Sequence, residues 1–289
     1  MAVLKTILAL AAAVLLTTTL LTTTAQAARP ADPAPVLAAE RAFAARAAVV
    51  GMSPSFLEYM TDDAIIFAPD PLLAKAFYAA LPAGKTPKDG GTLLNWWPNF
   101  AGVARSGDLG FTTGPATING KRGLFYFTVW ARQPEGGWKW VYDGGIDADG
   151  AAAPGPDAAP MTLPPGDPRP VRPDEAMINV GEAEGALAEQ AKTDAPAAYK
   201  AVLATDARVQ GSKLGPATTP AMVAKELATR AKAIAFGPIG GGASKAGDLV
   251  WTYGDARWTG GRGHYVRIWQ RRAGKWALVF DQIIEVEKS

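Results

Sequence analysis

Few residues of this chain are equipped for chemistry. Its 289 residues contain 1 His, no Cys and 27 Asp and Glu, so metal sites built on several histidines or on thiolates are excluded, and proton transfer falls to His264 or to a carboxylate. His264 has two readings: a general base near neutral pH, or a strand residue whose ring is satisfied by its neighbours. Asp143 and Asp281 close two similar stretches, WKWVYD and WALVFD. A carboxyl group in an apolar pocket holds its proton more tightly and suits acid–base work at neutral pH, whereas at a strand end it serves equally as a cap or turn former. Tyr126, Tyr199 and Tyr253 supply hydrogen-bond donors, and Trp96 and Trp97 supply surface for an apolar or sugar-like ligand. The candidate catalytic residues are therefore His264, Asp281 and Asp143. The candidate ligand-binding residues are Trp96, Trp97, Tyr126, Tyr199, Tyr253 and His264.

The elements that must position these residues are written twice. The stretch 106–143 recurs as 245–281 at a nearly constant offset: Asp108 matches Asp248, Gly114 Gly254, Gly123 Gly263, Trp130 Trp269, Trp138 Trp276 and Asp143 Asp281. Before each copy the pattern is helical. Residues 36–50 read as one helix, and Ser53-Pro54 opens a second. Ala64 to Phe67 reads as a short strand and 72–81 as a further helix. In the second copy the matching segments are helices over 174–192 and 195–203, a strand over 207–210, and a helix from Thr219-Pro220 to about Ala235. Each copy then ends in a meander of strands separated by Gly-rich turns. Helices followed by consecutive strands give an α+β plan and not a parallel α/β sheet.

Those motifs as a set, two helices, a D-D-A strand, SGDLG-x-T-x-G, G-x-x-x-F-x-V-W and G-G-W-K-x-x-x-D, resemble the nuclear transport factor 2-like superfamily, and within it the SnoaL-like bacterial branch. The resemblance implies two tandem cone-shaped domains, each with helices packed on a strongly curved antiparallel sheet around a pocket, while the outer sheet face commonly forms dimers. It implies a choice among isomerases, dehydratases, hydrolases, cyclases and plain binding proteins, because fold alone does not fix function. Chemistry of the ketosteroid-isomerase kind uses a carboxylate base with Tyr or protonated carboxyl donors. Tyr59, Tyr126, Asp63 and Asp143 offer these types in one copy and Tyr199, Tyr253, Asp206 and Asp281 in the other. No position matches the catalytic motif, so no catalytic role is transferred.

The domain organisation expected is a signal peptide over 1–27, a Pro/Ala spacer over 28–35, a first domain over 36–147, a Pro-rich linker over 148–174 and a second domain over 175–289. Lys5, an apolar run and the triplet Ala25-Gln26-Ala27 have the form of a secretory signal cleaved after Ala27, which predicts a periplasmic or secreted protein with no stable membrane insertion after processing. A composition 48% hydrophobic and 19% charged is that of a folded protein, and a net charge of +2 without a basic run gives no footprint for nucleic acid. In the last strand, Trp276, Leu278 and Phe280 are expected on one face and Ala277, Val279 and Ile283 on the other. With both faces apolar, the sheet needs a second cover, and the other copy is at hand: an intramolecular pseudo-dimer is expected. The run Gly237 to Gly242 is read as a loop and not a phosphate-binding motif, and Asp147 to Gly150 lacks the acids of a calcium loop. No cofactor and no metal are expected. The leading expectation is an exported binder of a small organic molecule. A cofactor-independent isomerase, dehydratase or hydrolase is the alternative, and a non-catalytic envelope interaction module a third.

Overall fold

A computed structural model describes residues 29–82 and 84–287; the expected signal peptide lies outside the described residues. The first half runs α1 (Ala34–Val50), α2 (Met52–Tyr59), β1 (Met60–Phe67), β2 (Pro71–Leu73), α3 (Ala74–Ala80), β3 (Leu94–Trp96), β4 (Phe100–Val103), β5 (Leu109–Ile118), β6 (Lys121–Arg132) and β7 (Trp138–Asp147). After β8 (Met161–Thr162) the second half runs α4 (Pro173–Val202), β9 (Leu203–Gln210), α5 (Pro220–Thr229), β10 (Ala235–Ala243), β11 (Leu249–Trp258), β12 (Gly261–Arg272) and β13 (Lys275–Glu285). The fold is α+β, with helices packed on two sheets. Among the described residues no helix is long and apolar enough to cross a membrane.

Strand order is β2-β1-β7-β6-β5-β4-β8 in one sheet, with β3 also on β5, and β10-β11-β12-β13-β9 in the other. The sheets are mixed where antiparallel ones are expected: the meanders are antiparallel, but β1 runs parallel to β7 and β9 parallel to β13. The meander accounts only for consecutive strands. The strand preceding it returns from the helices and closes on the last strand, so its direction is free of the hairpin rule.

Several boundaries differ from the sequence reading for identifiable reasons. Met60 through Asp63 belong to β1, because Met60 already registers with Trp140. The helix expected over 72–81 begins at Ala74, its first residues being taken by the β1–β2 hairpin. The helix opening at Thr219 is capped by that hydroxyl, which accepts from the Met222 amide at 3.3 Å, but it stops at Thr229. The glycine run 237–242 is a strand, not a loop. It lies at a sheet edge, where Pro238 needs no ladder partner, and a Cβ on Gly241 would sit 2.1 Å from the Trp251 carbonyl, so glycine is what lets β10 close on β11. The break expected between the two helices of this segment appears inside α4: Asp194 is non-helical and its carboxylate accepts from the Ala197 amide at 3.0 Å.

A bulge corrects the expected faces of β13. Ile268 registers with Phe280 but Trp269 with Leu278, so Val279 is the extra residue. Leu278 and Ile283 face the helices and Phe280 faces the other sheet. The same irregularity in β7 lies between Trp140 and Tyr142. It sends Tyr142 outward while Trp140 and Asp143 both face inward, the re-aiming that bulges commonly produce beside functional sites.

The outer sheet faces share one apolar cluster, in which Phe111, Phe127 and Tyr142 meet Trp251, Ile268 and Phe280. Phe127 and Phe280 stack with centroids 3.8 Å apart. Burying each such ring contributes about 1.5–3 kcal/mol. Matching turns exchange hydrogen bonds: the Arg105 amide donates to Asp248 at 3.0 Å, and the Lys245 amide to Asp108 at 3.0 Å. The Pro-rich segment is held down instead of spanning free space. Leu163 joins the shared cluster, the Asp167 amide donates to the Arg271 carbonyl at 2.8 Å, and Asp167 accepts from the Gly274 amide at 2.8 Å.

Candidate functional site

In the first half, α1 buries Val36, Glu40, Phe43, Ala44 and Ala47, a stripe at helical spacing with a carboxylate set into it. Glu40 is fully buried and accepts from three donors: Trp96 Nε1 at 2.5 Å, the Thr112 hydroxyl, and Trp130 Nε1 at 3.0 Å. Burial raises its proton affinity above the ordinary carboxylate range, and these hydrogen bonds pull it partly back. The same bonds fix the Trp96 ring, which forms a wall of the cavity in front of Glu40.

That cavity has a volume of about 300 Å³ and is bounded by Phe56, Phe77, Tyr78, Trp96, Tyr126 and Asp143 among others. Strand alternation in β6 turns Tyr126, Thr128 and Trp130 inward, and the β7 bulge brings Asp143 into register with Thr128. The Thr128 hydroxyl donates to Asp143 at 3.1 Å. Burial pushes the Asp143 carboxyl well above its usual range, the nearby charge of Glu40 pushes it further, and the Thr128 hydrogen bond offsets only part of this. Burial likewise raises the Tyr78 and Tyr126 phenols, keeping both neutral donors. The Tyr126 hydroxyl is close to Thr112 but makes no hydrogen bond with it or with any described residue. None of the residues lining this cavity is Lys, Arg or His. The site thus presents a proton-retaining carboxyl and a free phenol to an aromatic chamber. Such a pair can recognise a polar group or exchange a proton with it.

The second half carries a similar frame, with Arg267 in place of Thr128 as its chief difference. Thr252, Arg267 and Asp281 occupy the ladder positions of Thr112, Thr128 and Asp143. Glu184 on α4 takes the role of Glu40, accepting from Thr252 at 2.7 Å and from Trp269 Nε1 at 2.8 Å. Arg267, where the first half has threonine, fills the space. Its Nε reaches Asp281 at 2.7 Å, one terminal nitrogen pairs with Glu184, and the other donates to the Tyr199 hydroxyl at 2.8 Å. Its guanidinium lies 3.9 Å from the Tyr265 ring centroid and 4.3 Å from that of Phe236. Arg230 adds a second cation on Asp281 at 2.6 Å. Burial lifts the Tyr199 phenol to about 12. What opens here is a smaller hollow of about 170 Å³ at the rim, past Arg230, Glu226 and Trp258.

The candidate residues therefore separate into three places. Trp96, Tyr126 and Asp143 line the first cavity; Tyr199 and Asp281 are locked in the second half's ionic network. The others lie outside both. Trp97 turns away from the cavity and donates to the Pro154 carbonyl at 2.9 Å. Tyr253 stacks on Trp251 with centroids 5.5 Å apart, on the outer sheet face. His264, only 3% exposed, sits at the edge of the contact between sheets, Nε2 3.0 Å from Asp70 and Nδ1 3.0 Å from Asp255. It registers with Ile284 on β13 and faces away from the second half's interior. Of the other paired acids, Asp63 is exposed on β1, and Asp206 is exposed and ion-paired to Arg272. Sequence reasoning missed Glu40, Glu184, Arg230 and the Thr128–Arg267 difference. The last was visible by setting WVYD-flanking strands against each other, and the glutamates by asking which carboxylate interrupts an apolar helix stripe. Among the described residues no group of three or more His, Cys, Asp or Glu is placed to hold a metal.

No protein-family model matches the chain, and no curated protein matches it. Solved structures similar to it include a ketosteroid isomerase-like protein from Erwinia carotovora atroseptica, at 12% identity and a TM-score of 0.36 over 40% of this chain and 99% of that one. An NTF2-like protein of unknown function from Pseudomonas putida is similar at 12% identity and a TM-score of 0.35, over 41% and 92% of the two chains. A protein of unknown function with a cystatin-like fold from Nostoc punctiforme is similar at 14% identity and a TM-score of 0.33, over 39% and 92%.

Proposed function

We propose that this protein binds a small organic molecule in the cavity of its first half. The observation that carries the reading is the contrast between that open, aromatic chamber containing Asp143 and Tyr126 and its counterpart, which Arg267 fills. On this reading the chain is two tandem NTF2-like units of the SnoaL-like kind, folded as a pseudo-dimer. The support is the repeated sequence, the matched ladder positions, and the reciprocal Arg105–Asp248 and Lys245–Asp108 contacts. The second unit is then a closed copy that covers the outer sheet face of the first. Export rests on the N-terminal sequence pattern, and a mature N-terminus at Ala28 found by mass spectrometry is its test.

The binding reading is tested by native mass spectrometry of protein purified from its own host. A bound organic mass released on unfolding is expected. Ligand-free protein that also gains no thermal stability from any member of a broad library of small organic molecules contradicts it. A second reading, a cofactor-independent isomerase, dehydratase or hydrolase, is favoured by the raised proton affinity of Asp143 beside a neutral Tyr126. It requires turnover of the bound molecule that is lost in Asp143→Asn while binding persists. Binding without turnover in the wild type eliminates it.

A further inference from the structure

We propose that the molecule held in the first cavity is a cation, an amine or guanidinium on an apolar body. The inference rests on the binding reading above and names the chemical class of its ligand. The second half shows what this frame accepts. Between Glu184 and Asp281, against Tyr199, Tyr265 and Phe236, the chain places a guanidinium, with ring centroids 3.9 to 5.5 Å from its carbon. In the first half the corresponding carboxyl, Asp143, and the corresponding rings, Tyr126 and Trp96, line open volume, with Glu40 buried behind Trp96, and Thr128 stands at the ladder position of Arg267. A ligand cation entering there would meet carboxylate, phenol oxygen and aromatic faces, the combination that attracts a partly desolvated positive charge. The matched Tyr265 hydroxyl is also without a hydrogen-bond partner, but its ring is covered by Arg267, whereas the Tyr126 ring borders the cavity.

Charge accounting supports the same conclusion. Asp143 faces Glu40 from α1, Tyr78 from α3, Tyr126 and Thr128 from β6, and its neighbour Tyr142; the basic group acting on this set is Arg41, weakly and through Tyr126. With no cation lining the cavity, burial and the charge of Glu40 favour the protonated form of the Asp143 carboxyl. A bound ammonium or guanidinium supplies the missing charge and displaces that proton to solvent, so binding strengthens as pH rises until Asp143 is ionised in the free protein.

The test uses the full chain and three probes that share a phenethyl body and differ in the polar group: phenethylguanidinium, phenethyl alcohol and hydrocinnamate. Isothermal titration near neutral pH should show the guanidinium binding at least about tenfold more tightly than the alcohol, with hydrocinnamate weakest. Repeating the titration in two buffers of different ionisation enthalpy should show proton release with the guanidinium and none with the alcohol. Asp143→Asn should weaken the guanidinium by about tenfold or more and leave the alcohol nearly unchanged. If the alcohol or hydrocinnamate binds as tightly as the guanidinium, or no proton is released by the wild type, the cationic assignment is overturned while the binding site stands. If neither these probes nor any other small organic molecule binds, the binding reading itself falls, and this inference with it.

Discussion

Against Trp96, Tyr126 and Asp143 the first half leaves a cavity of about 300 Å³, and between Glu184 and Asp281 the second half places Arg267, with Arg230 also on Asp281. The helix carboxylate, the threonine that donates to it, the tryptophan on the sixth or twelfth strand and the bulged aspartate are otherwise in register. One ladder position, Thr128 against Arg267, separates an open chamber from a closed network. The energetics differ accordingly. Three buried carboxylate–guanidinium pairs in the second half offset much of one another's desolvation, leaving a modest net contribution but a strong penalty for removing one partner. In the first half burial instead favours the protonated form of Asp143, which borders the cavity, while Glu40 behind it is met by hydrogen-bond donors.

Breaking the closed side should have the largest effect. Arg267→Ala strands Glu184 and leaves Asp281 with Arg230 alone, and is expected to destabilise the protein by about 3–5 kcal/mol in urea unfolding followed by tryptophan fluorescence. A loss under about 1 kcal/mol would mean that the second half tolerates an open chamber too. Next is the reverse exchange: Thr128→Arg should fold, because its carboxylate partners are already in place, and should weaken ligand binding by about a hundredfold, or about 2.7 kcal/mol, by filling the chamber. The smallest effect concerns pH. Asp143 has its folded-state proton affinity raised, so it contributes stability that is fully present below the ordinary carboxylate range and is lost as pH rises through the folded-state value. Wild-type stability should fall by up to about 1.4 kcal/mol per pH unit in that window for this group, and Asp143→Asn should lack that part of the slope while the Glu40 part remains. Unfolding free energies from about pH 4 to pH 8 for both proteins check it; parallel curves would refute the assignment.

Much of the fold was legible because it rests on local signals. The Thr219-Pro220 start, the Gly-rich hairpin turns and the repeated strand pattern depend on neighbours in sequence, and they were read correctly in kind. The parallel closures of β1 on β7 and β9 on β13 were not legible, since nothing in a strand's own residues encodes its distant partner. Gly237 to Gly242 misled because glycine ordinarily breaks strands; here the crowding is supplied by Trp251 and Thr252 across the ladder. The site was half legible. Asp143, Tyr126 and Trp96 were among the candidates, but the β13 and β7 bulges, invisible to strict alternation, decide that the aspartates face inward. His264 drew notice as the one histidine, yet the topology puts it against Asp70 at the edge between the sheets. Glu40 escaped because an isolated glutamate in an Ala-rich helix looks solvated until Trp96, Thr112 and Trp130 are seen to converge on it.

The account stands or falls on where ligand binds. Isothermal titration of phenethylguanidinium into the wild type and into Thr128→Arg compares the open chamber with a copy closed as the second half is closed. The account predicts a stoichiometry of one per chain in the wild type and loss of binding in the variant. Binding that survives Thr128→Arg with unchanged affinity would contradict it, placing the ligand outside the chamber lined by Trp96, Tyr126 and Asp143.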